Sequence, residues 1–313
     1  MLALALPLGG ADDVRREMRM VMGTAAALEV RGAPHPEAAL DAAFAVLGRV
    51  DDALTQYRDS ELVRLNAAGI AEVSTDLQVV LRAALDVATA SQGAFDPSVE
   101  PLLRAAGYYA GAPRALGDSE RRDAMNRVGF TRVRLEGRRV RLPEGGGLDF
   151  GGIAKGYAAD EALRALRSAG ARGASVDLGN SSIALFGPAD LVGVRDPTQA
   201  GAEPLAHFRL ENEALATSSQ SEQPGHIVDP RNGRPAEAAL GVTVVAARAM
   251  EADALSTAVF VLGAEAGLRL LRSRGAEGFV LERGPGGGLH LRATPGFAAR
   301  HELRARPGLR VIE

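Results

Sequence analysis

Cysteine and tryptophan are both absent from the 313 residues, and aromatic residues make up only 4% of the chain. Without cysteine there is no disulfide, no thiolate zinc ligand, no cysteine nucleophile and no lipid-anchoring thiol. No dense basic stripe accompanies the net charge of -3, which argues against a nucleic-acid partner. Arg132, Arg134, Arg138, Arg139 and Arg141 fall on a short, Gly-turned, hairpin-like stretch that reads as a solvated face. No apolar run approaches the roughly 20 residues that span a bilayer, so no transmembrane segment is expected. The apolar stretch 1–8 lacks a basic start and is short for a signal core; residues 1–18 are read as an N-terminal tail, with a signal remnant as the alternative. A His-Glu-x-x-His zinc helix, a Gly-x4-Gly-Lys-Ser/Thr loop and a Gly-x-Ser-x-Gly elbow are missing as well.

What remains is a composition of 46% hydrophobic and 24% charged residues, enough to bury a large core. Helical and strand patterns mix rather than alternate. Residues 36–57 carry Leu40, Ala43, Phe44, Leu47, Val50 and Leu54 on one helical stripe with proline in the first turn. A second helix is expected from Asp76 as N-cap to Gly93, and a short one from Ser119 to near Gly129. Strands are expected at 132–135, 139–142, 174–178, 183–186, 191–195, 206–210, 242–246, 278–282 and 288–292, and a helix at 264–273. With no long linker and no internal repeat, this pattern predicts an α+β fold over residues 19–313, as a single domain or as two lobes around a ligand cleft.

Residues 148–160, Leu-Asp-Phe-Gly-Gly-Ile-Ala-Lys-Gly-Tyr-Ala-Ala-Asp, carry the most chemical information. Asp149 ends an apolar approach, Gly151 and Gly152 let the backbone come close to a ligand, and a helix over 153–169 would point free amides and its positive dipole end at that spot. Lys155 adds a full positive charge in the first turn, suiting a phosphorylated ligand; alternatively, it simply snorkels to water. Farther on, Asp253 and Thr257 lie four apart in an apolar helix closed by Gly263, placing a carboxylate and a hydroxyl on one face where magnesium finds oxygen ligands. The alternative is that Asp253 caps the helix and Thr257 bonds to a carbonyl one turn back. Of the five histidines, only His226 lies in a turn-rich segment, 225–233, where a side chain of near-neutral pKa is well placed to move protons; the alternative is a plain surface turn histidine.

In order along the chain come Met22-Gly23-Thr24, Tyr57, Ser60-Glu61-Leu62, Leu65-Asn66, Gly93-Ala94-Phe95-Asp96-Pro97, Pro101-Leu102, the 149–160 segment, Asp177-Leu178-Gly179, Thr217-Ser218, His226-Ile227-Val228-Asp229-Pro230-Arg231-Asn232-Gly233, and Ala252-Asp253 to Thr257. This series resembles the ApbE family, the FAD:protein FMN transferases, over roughly residues 20–265. The resemblance implies a magnesium-dependent enzyme that attaches FMN from FAD, through a phosphoester, to a threonine or serine of a partner flavoprotein and releases AMP. It implies an acceptor motif of the type Asp-x-Ser/Thr-Gly-Ala-Ser/Thr. Magnesium would be held by Asp253 and Thr257 with carbonyls from Gly152 and Ser256. FAD would contact Met22, Tyr57, Ala94, Phe95, Asp96, Asp149, Lys155, His226 and Ile227. His226 would take the proton of the acceptor hydroxyl, with Asp253 the second catalytic residue through the metal.

The chain departs from the family pattern in three places. Ala106-Gly107-Tyr108-Tyr109 stands where a tryptophan is usual, Asn180 replaces a second glycine after Gly179, and Ser219 follows Thr217-Ser218 where glycine is common. These touch flavin or acceptor contacts and leave the proposed metal set intact. FAD hydrolysis to FMN and AMP at the same site is the second enzymatic reading, and a non-catalytic FAD-binding maturation factor is the third. By resemblance the compartment is the cell envelope or periplasm; the lack of a clear signal peptide and of a lipid-anchoring cysteine leaves the cytoplasm as the alternative.

Overall fold

Strands rich in small and β-branched residues assemble a nine-stranded sheet in the order Arg310–Ile312, Leu289–Ala293, Glu277–Arg283, Gly241–Ala246, Ala214–Ser218, Ser182–Phe186, Gly173–Leu178, Thr24–Arg31 and Val14–Val21. Neighbours are antiparallel except for Arg310–Ile312 against Leu289–Ala293. The computed structural model describes residues 5–6, 14–199, 203–221, 223–284 and 286–313.

Ser182–Phe186 and Gly241–Ala246 are buried along their whole length, because the sheet is covered on both faces and alternate residues enter different cores. On one face Ala184, Ala214, Ala216, Val242 and Val244 pack with the helices Pro36–Leu54, Thr75–Ala90, Ala154–Ser168 and Ala249–Ser273. On the other, Ile183, Leu185, Leu215, Val245 and Phe279 meet Val192, Val194, Phe208 and Phe297, beneath a four-stranded sheet. The alanines on the helix side let the helices lie close to the sheet. This is the expected α+β fold, in three layers.

Several expected boundaries move for identifiable reasons. The sheet begins at Val14, inside the stretch read as a tail: Val14–Val21 pairs residue for residue with Thr24–Arg31 through the two-residue turn Met22-Gly23, both at positive φ. The apolar stretch 1–8 lies outside the described residues, apart from the backbone of Ala5–Leu6, which pairs with Leu191 and Val192. The first helix stops at Leu54, since Thr55 is extended. Ser74, not Asp76, caps the next helix by accepting the Leu77 amide. Gly117, not Ser119, caps Asp118–Met125, with the Glu120 carboxylate reaching back to its amide.

The helix bearing Asp253 starts earlier than expected, at Ala249, because Asp160 on the neighbouring helix accepts the amides of Ala249 and Met250 at 2.8 and 3.1 Å. Capping from another element releases Asp253 from that duty. Gly263, at φ +75°, kinks this helix without ending it, so the helix expected at 264–273 is its continuation. The resulting 25-residue element has a mean hydropathy of 1.5 over its most apolar stretch, so, contrary to expectation, one run is long and apolar enough to cross a membrane; 67% of that stretch is packed within the protein, as in a core helix.

Candidate active site

A cleft of about 580 Å3 opens where the Met22-Gly23 turn, the 149–155 turn, the end of Ala214–Ser218, the His226 loop and the Asp253 helix converge. That size suits a cofactor-sized ligand. Every site residue named from sequence lines it except Ser256. Ser256 is fully buried; its hydroxyl donates to the Asp253 carbonyl at 2.8 Å and bonds the Ser218 hydroxyl at 2.8 Å.

At the floor, Asp149 Oδ1 accepts the Gly151 amide and Oδ2 accepts the Tyr109 hydroxyl, both at 2.8 Å. Desolvation raises its carboxyl above the usual range, against the pull of these two donors and of the nearby His226. The turn is less open than expected. The Ile153 and Ala154 amides close on the Phe150 carbonyl and the Gly156 amide goes to Asp253 Oδ2 at 2.9 Å, so positive charge here comes mainly from Lys155 rather than from bare helix-end amides. Lys155 Nζ donates to Ser181 Oγ at 2.5 Å. It also lies between two carboxylates, Asp177 and Asp253; desolvation lifts each to about 6, and Lys155 opposes the rise in both.

Asp253 is 6% exposed. Beside it lies the buried Ser182 hydroxyl, which helps to hold the Asp253 carboxyl down, and one turn along the same helix is Thr257, whose Oγ1 is 3.4 Å from Ser218 Oγ. A side chain at Gly152 would sit 2.8 Å from Thr257 Oγ1 and 3.3 Å from Phe95, so glycine is what brings the turn against the helix. Among the described residues no three His, Cys, Asp or Glu side chains cluster as a metal cage. One carboxylate with hydroxyl and carbonyl oxygens, adjoining a lysine, fits magnesium shared with ligand phosphates better than it fits zinc.

His226 lines the same cleft, close enough to Asp149 to act on its charge. Its Nδ1 faces the Gln223 carbonyl, which only accepts, so Nδ1 carries the proton of the neutral ring and Nε2 is the basic nitrogen. Gln220 braces this loop, accepting the Gly225 amide at 2.6 Å and donating to the carbonyls of Ile227 and Ala236 at 3.0 Å. The following Asp229-Pro230-Arg231-Asn232-Gly233 segment is a self-contained turn in which Asp229 accepts from the Arg231 amide and guanidinium and from Asn232.

The apolar wall holds Met22, Ala94, Phe95 and Ile227, with Tyr57 at the mouth, 70% exposed and edge-on to Tyr109 at 6.1 Å. Asp96 lines the cleft, but its carboxylate is turned into its own loop, accepting the Ser98 amide and hydroxyl at 2.7 and 2.6 Å and the Phe130 amide at 3.1 Å. Sequence reading did not assign Tyr108, Tyr109 or Ser181 to the site; adjacent tyrosines carry no local signal for which wall each will reach.

A covered α+β sheet bearing an oxygen-lined cleft, with one lysine and a basic imidazole among its lining residues, is chemically suited to a phosphorylated, nucleotide-sized ligand. The sequence profile of the ApbE family matches residues 22–280, and the chain belongs to that family. It is 34% identical over 304 residues to the FAD:protein FMN transferase of Treponema pallidum (strain Nichols), covering 84% of this chain and 83% of that protein. To the FAD:protein FMN transferase of Rhodobacter capsulatus it is 32% identical over 315 residues, spanning 93% of this chain and 59% of that longer protein. The apo flavinyl transferase ApbE of Pseudomonas stutzeri superimposes with a TM-score of 0.82 at 26% identity, over 92% of this chain and 96% of the other. The ApbE protein of Thermotoga maritima does so with 0.79 at 27%, over 88% and 96%.

Proposed function

We propose that this chain is an FAD:protein FMN transferase, the name its relatives carry, and that it moves the FMN half of FAD onto a serine or threonine hydroxyl of a partner flavoprotein. The observation that carries the reading is one cleft lined both by Lys155, Asp253 and Thr257 and by a histidine whose Nε2 is the basic nitrogen.

The acceptor hydroxyl attacks the phosphorus on the riboflavin side of the pyrophosphate. A new P–O bond forms, the bond from that phosphorus to the bridging oxygen breaks, and AMP leaves with the bridging oxygen and its electron pair. The hydroxyl proton passes to Nε2 of His226. Lys155 neutralises phosphate charge, and the Gly151-Gly152 turn allows close backbone approach. Asp253, Thr257 and the Gly152 carbonyl would hold magnesium, which when bound offsets charge on the pyrophosphate. The apolar wall of Met22, Phe95 and Tyr57 suits the ring systems of FAD.

Incubation of the protein with FAD, magnesium chloride and an acceptor protein bearing an Asp-x-Thr-Gly-Ala-Thr segment tests the proposal by intact mass and AMP release. An FMN adduct with equimolar AMP is expected. FMN and AMP without adduct would replace transfer by hydrolysis, and intact FAD bound to the protein would replace catalysis by carriage. Asp253→Ala is expected to abolish magnesium-dependent turnover, and undiminished activity in that variant would overturn the metal assignment.

A further inference from the structure

We propose that Tyr108 and Tyr109 are positioning residues, a two-tyrosine clamp that holds the Asp149 turn and the His226 loop at one spacing across the cleft. The catalytic part of this inference rests on the reading of His226 as the proton acceptor. The structural part does not.

The helix Glu100–Ala105 ends in a tight turn. Gly107, at φ +81°, has the Ala112 carbonyl 2.4 Å from where a Cβ would stand, and Gly111 closes the turn at φ +72°. Between them Tyr108–Ala110 form one 3-10 turn, in which successive side chains point about 120° apart. The two neighbouring hydroxyls therefore reach different walls. Tyr108 donates to the Pro224 carbonyl at 2.8 Å, two residues before His226; Tyr109 donates to Asp149 Oδ2 at 2.8 Å.

Neither ring is free to swing. Tyr108 is 9% exposed, packed with Leu103 and Ala106 and against Val228 beyond the His226 loop, while Tyr109 meets Tyr57 edge-on. Desolvation and the Asp149 charge keep the Tyr109 hydroxyl protonated, and so a donor, throughout the ordinary pH range. The bracing by Gln220 fixes the shape of the His226 loop from within, but ties it only to its own segment. The Tyr108 bond ties that shape to the turn after Glu100–Ala105, which through Tyr109 also holds Asp149. In a displacement at phosphorus, misplacement of about 1 Å between nucleophile, base and phosphate costs up to roughly a hundredfold in rate.

The experiment compares Tyr108→Phe and Tyr109→Phe in the full chain by two readouts. One is hydrogen exchange of the segment around 223–229. The other is kcat and KM for FAD, in transfer to the acceptor protein described above with magnesium chloride. Tyr108→Phe is expected to speed exchange in that segment and to lower kcat roughly tenfold or more, with KM for FAD within about twofold and the melting temperature nearly unchanged. Tyr109→Phe should leave exchange at 223–229 as in the parent.

Unchanged exchange in Tyr108→Phe overturns the clamp. Faster exchange with unchanged kcat shows that the loop's position does not matter, which also overturns it. A rise in KM with kcat unchanged reassigns Tyr108 to ligand binding. If the parent itself forms neither adduct nor AMP, the proposed function fails, and exchange still decides whether Tyr108 holds the loop.

Discussion

The Gly156 amide donates to Asp253 Oδ2 at 2.9 Å, joining the first turn of one helix to a carboxylate of another. The bond is possible because residue 156 has no side chain: a Cβ there would lie 2.2 Å from the Ala249 carbonyl and 2.8 Å from Asp253 Cβ. The same contact places Lys155 beside Asp253, so helix packing and site electrostatics share one glycine.

Gly156→Ala is therefore expected to push the two helices apart. Overpacking of this kind costs about 1–3 kcal/mol. Thermal unfolding should show a lower midpoint, together with weaker magnesium activation as Asp253 moves from Lys155. An unchanged midpoint would mean that the helices separate at no cost.

Glu100 gives a pH signature independent of the metal. It is 3% exposed; desolvation lifts its carboxyl from 4.5 to about 7, with Arg104 opposing the rise and Asp149 adding to it. The native state then holds a proton that the unfolded chain releases, so stability falls as pH rises from about 4.5 to about 7 and levels off above. A rise of that size corresponds to roughly 3 kcal/mol, an upper bound once neighbours relax. Glu100→Gln should be more stable than the parent near pH 8 and lose that advantage near pH 5, as read by urea denaturation at the two pH values. The same difference at both would show that Glu100 does not titrate in this range.

Lys155→Met removes the cation that offsets desolvation of both Asp177 and Asp253. KM for FAD is expected to rise about tenfold or more, and Lys155→Arg to recover part of the loss. A methionine variant with unaltered KM would place the phosphates elsewhere.

His226→Ala should lower kcat by roughly 100- to 10,000-fold while FAD titration still shows binding within a few-fold of the parent. If the rate persisted and only the affinity fell, His226 would be a ligand contact and not the base.

Much of this was legible along the chain. The stripe from Leu40 to Leu54, the strands near 174–186 and 242–246, and the ordered motifs from Met22 to Thr257 needed only local patterning, since apolar period and glycine position act at short range. The hairpin over 14–31 was not legible, because its first strand, Val14–Val21, is an edge strand whose outer positions carry arginine and methionine instead of a buried alternation. The start of the Asp253 helix was hidden because its cap, Asp160, comes from 89 residues earlier in the chain. That Asp96 would accept from the Ser98 amide and hydroxyl and the Phe130 amide while lining the cleft was not legible either, since Phe130 lies 34 residues on.

By itself the sequence determined most of the helices and strands and the list of residues able to bind phosphate, metal or a proton, because these follow from side-chain chemistry and spacing. Only the tertiary structure decided which of them meet. Asp253 and Lys155 are brought together by a contact between helices, and Tyr108 and Tyr109 reach different segments, Pro224 and Asp149. The physical reason is range: hydrogen bonds and burial between residues far apart in the chain depend on how the layers pack, and no local pattern encodes them.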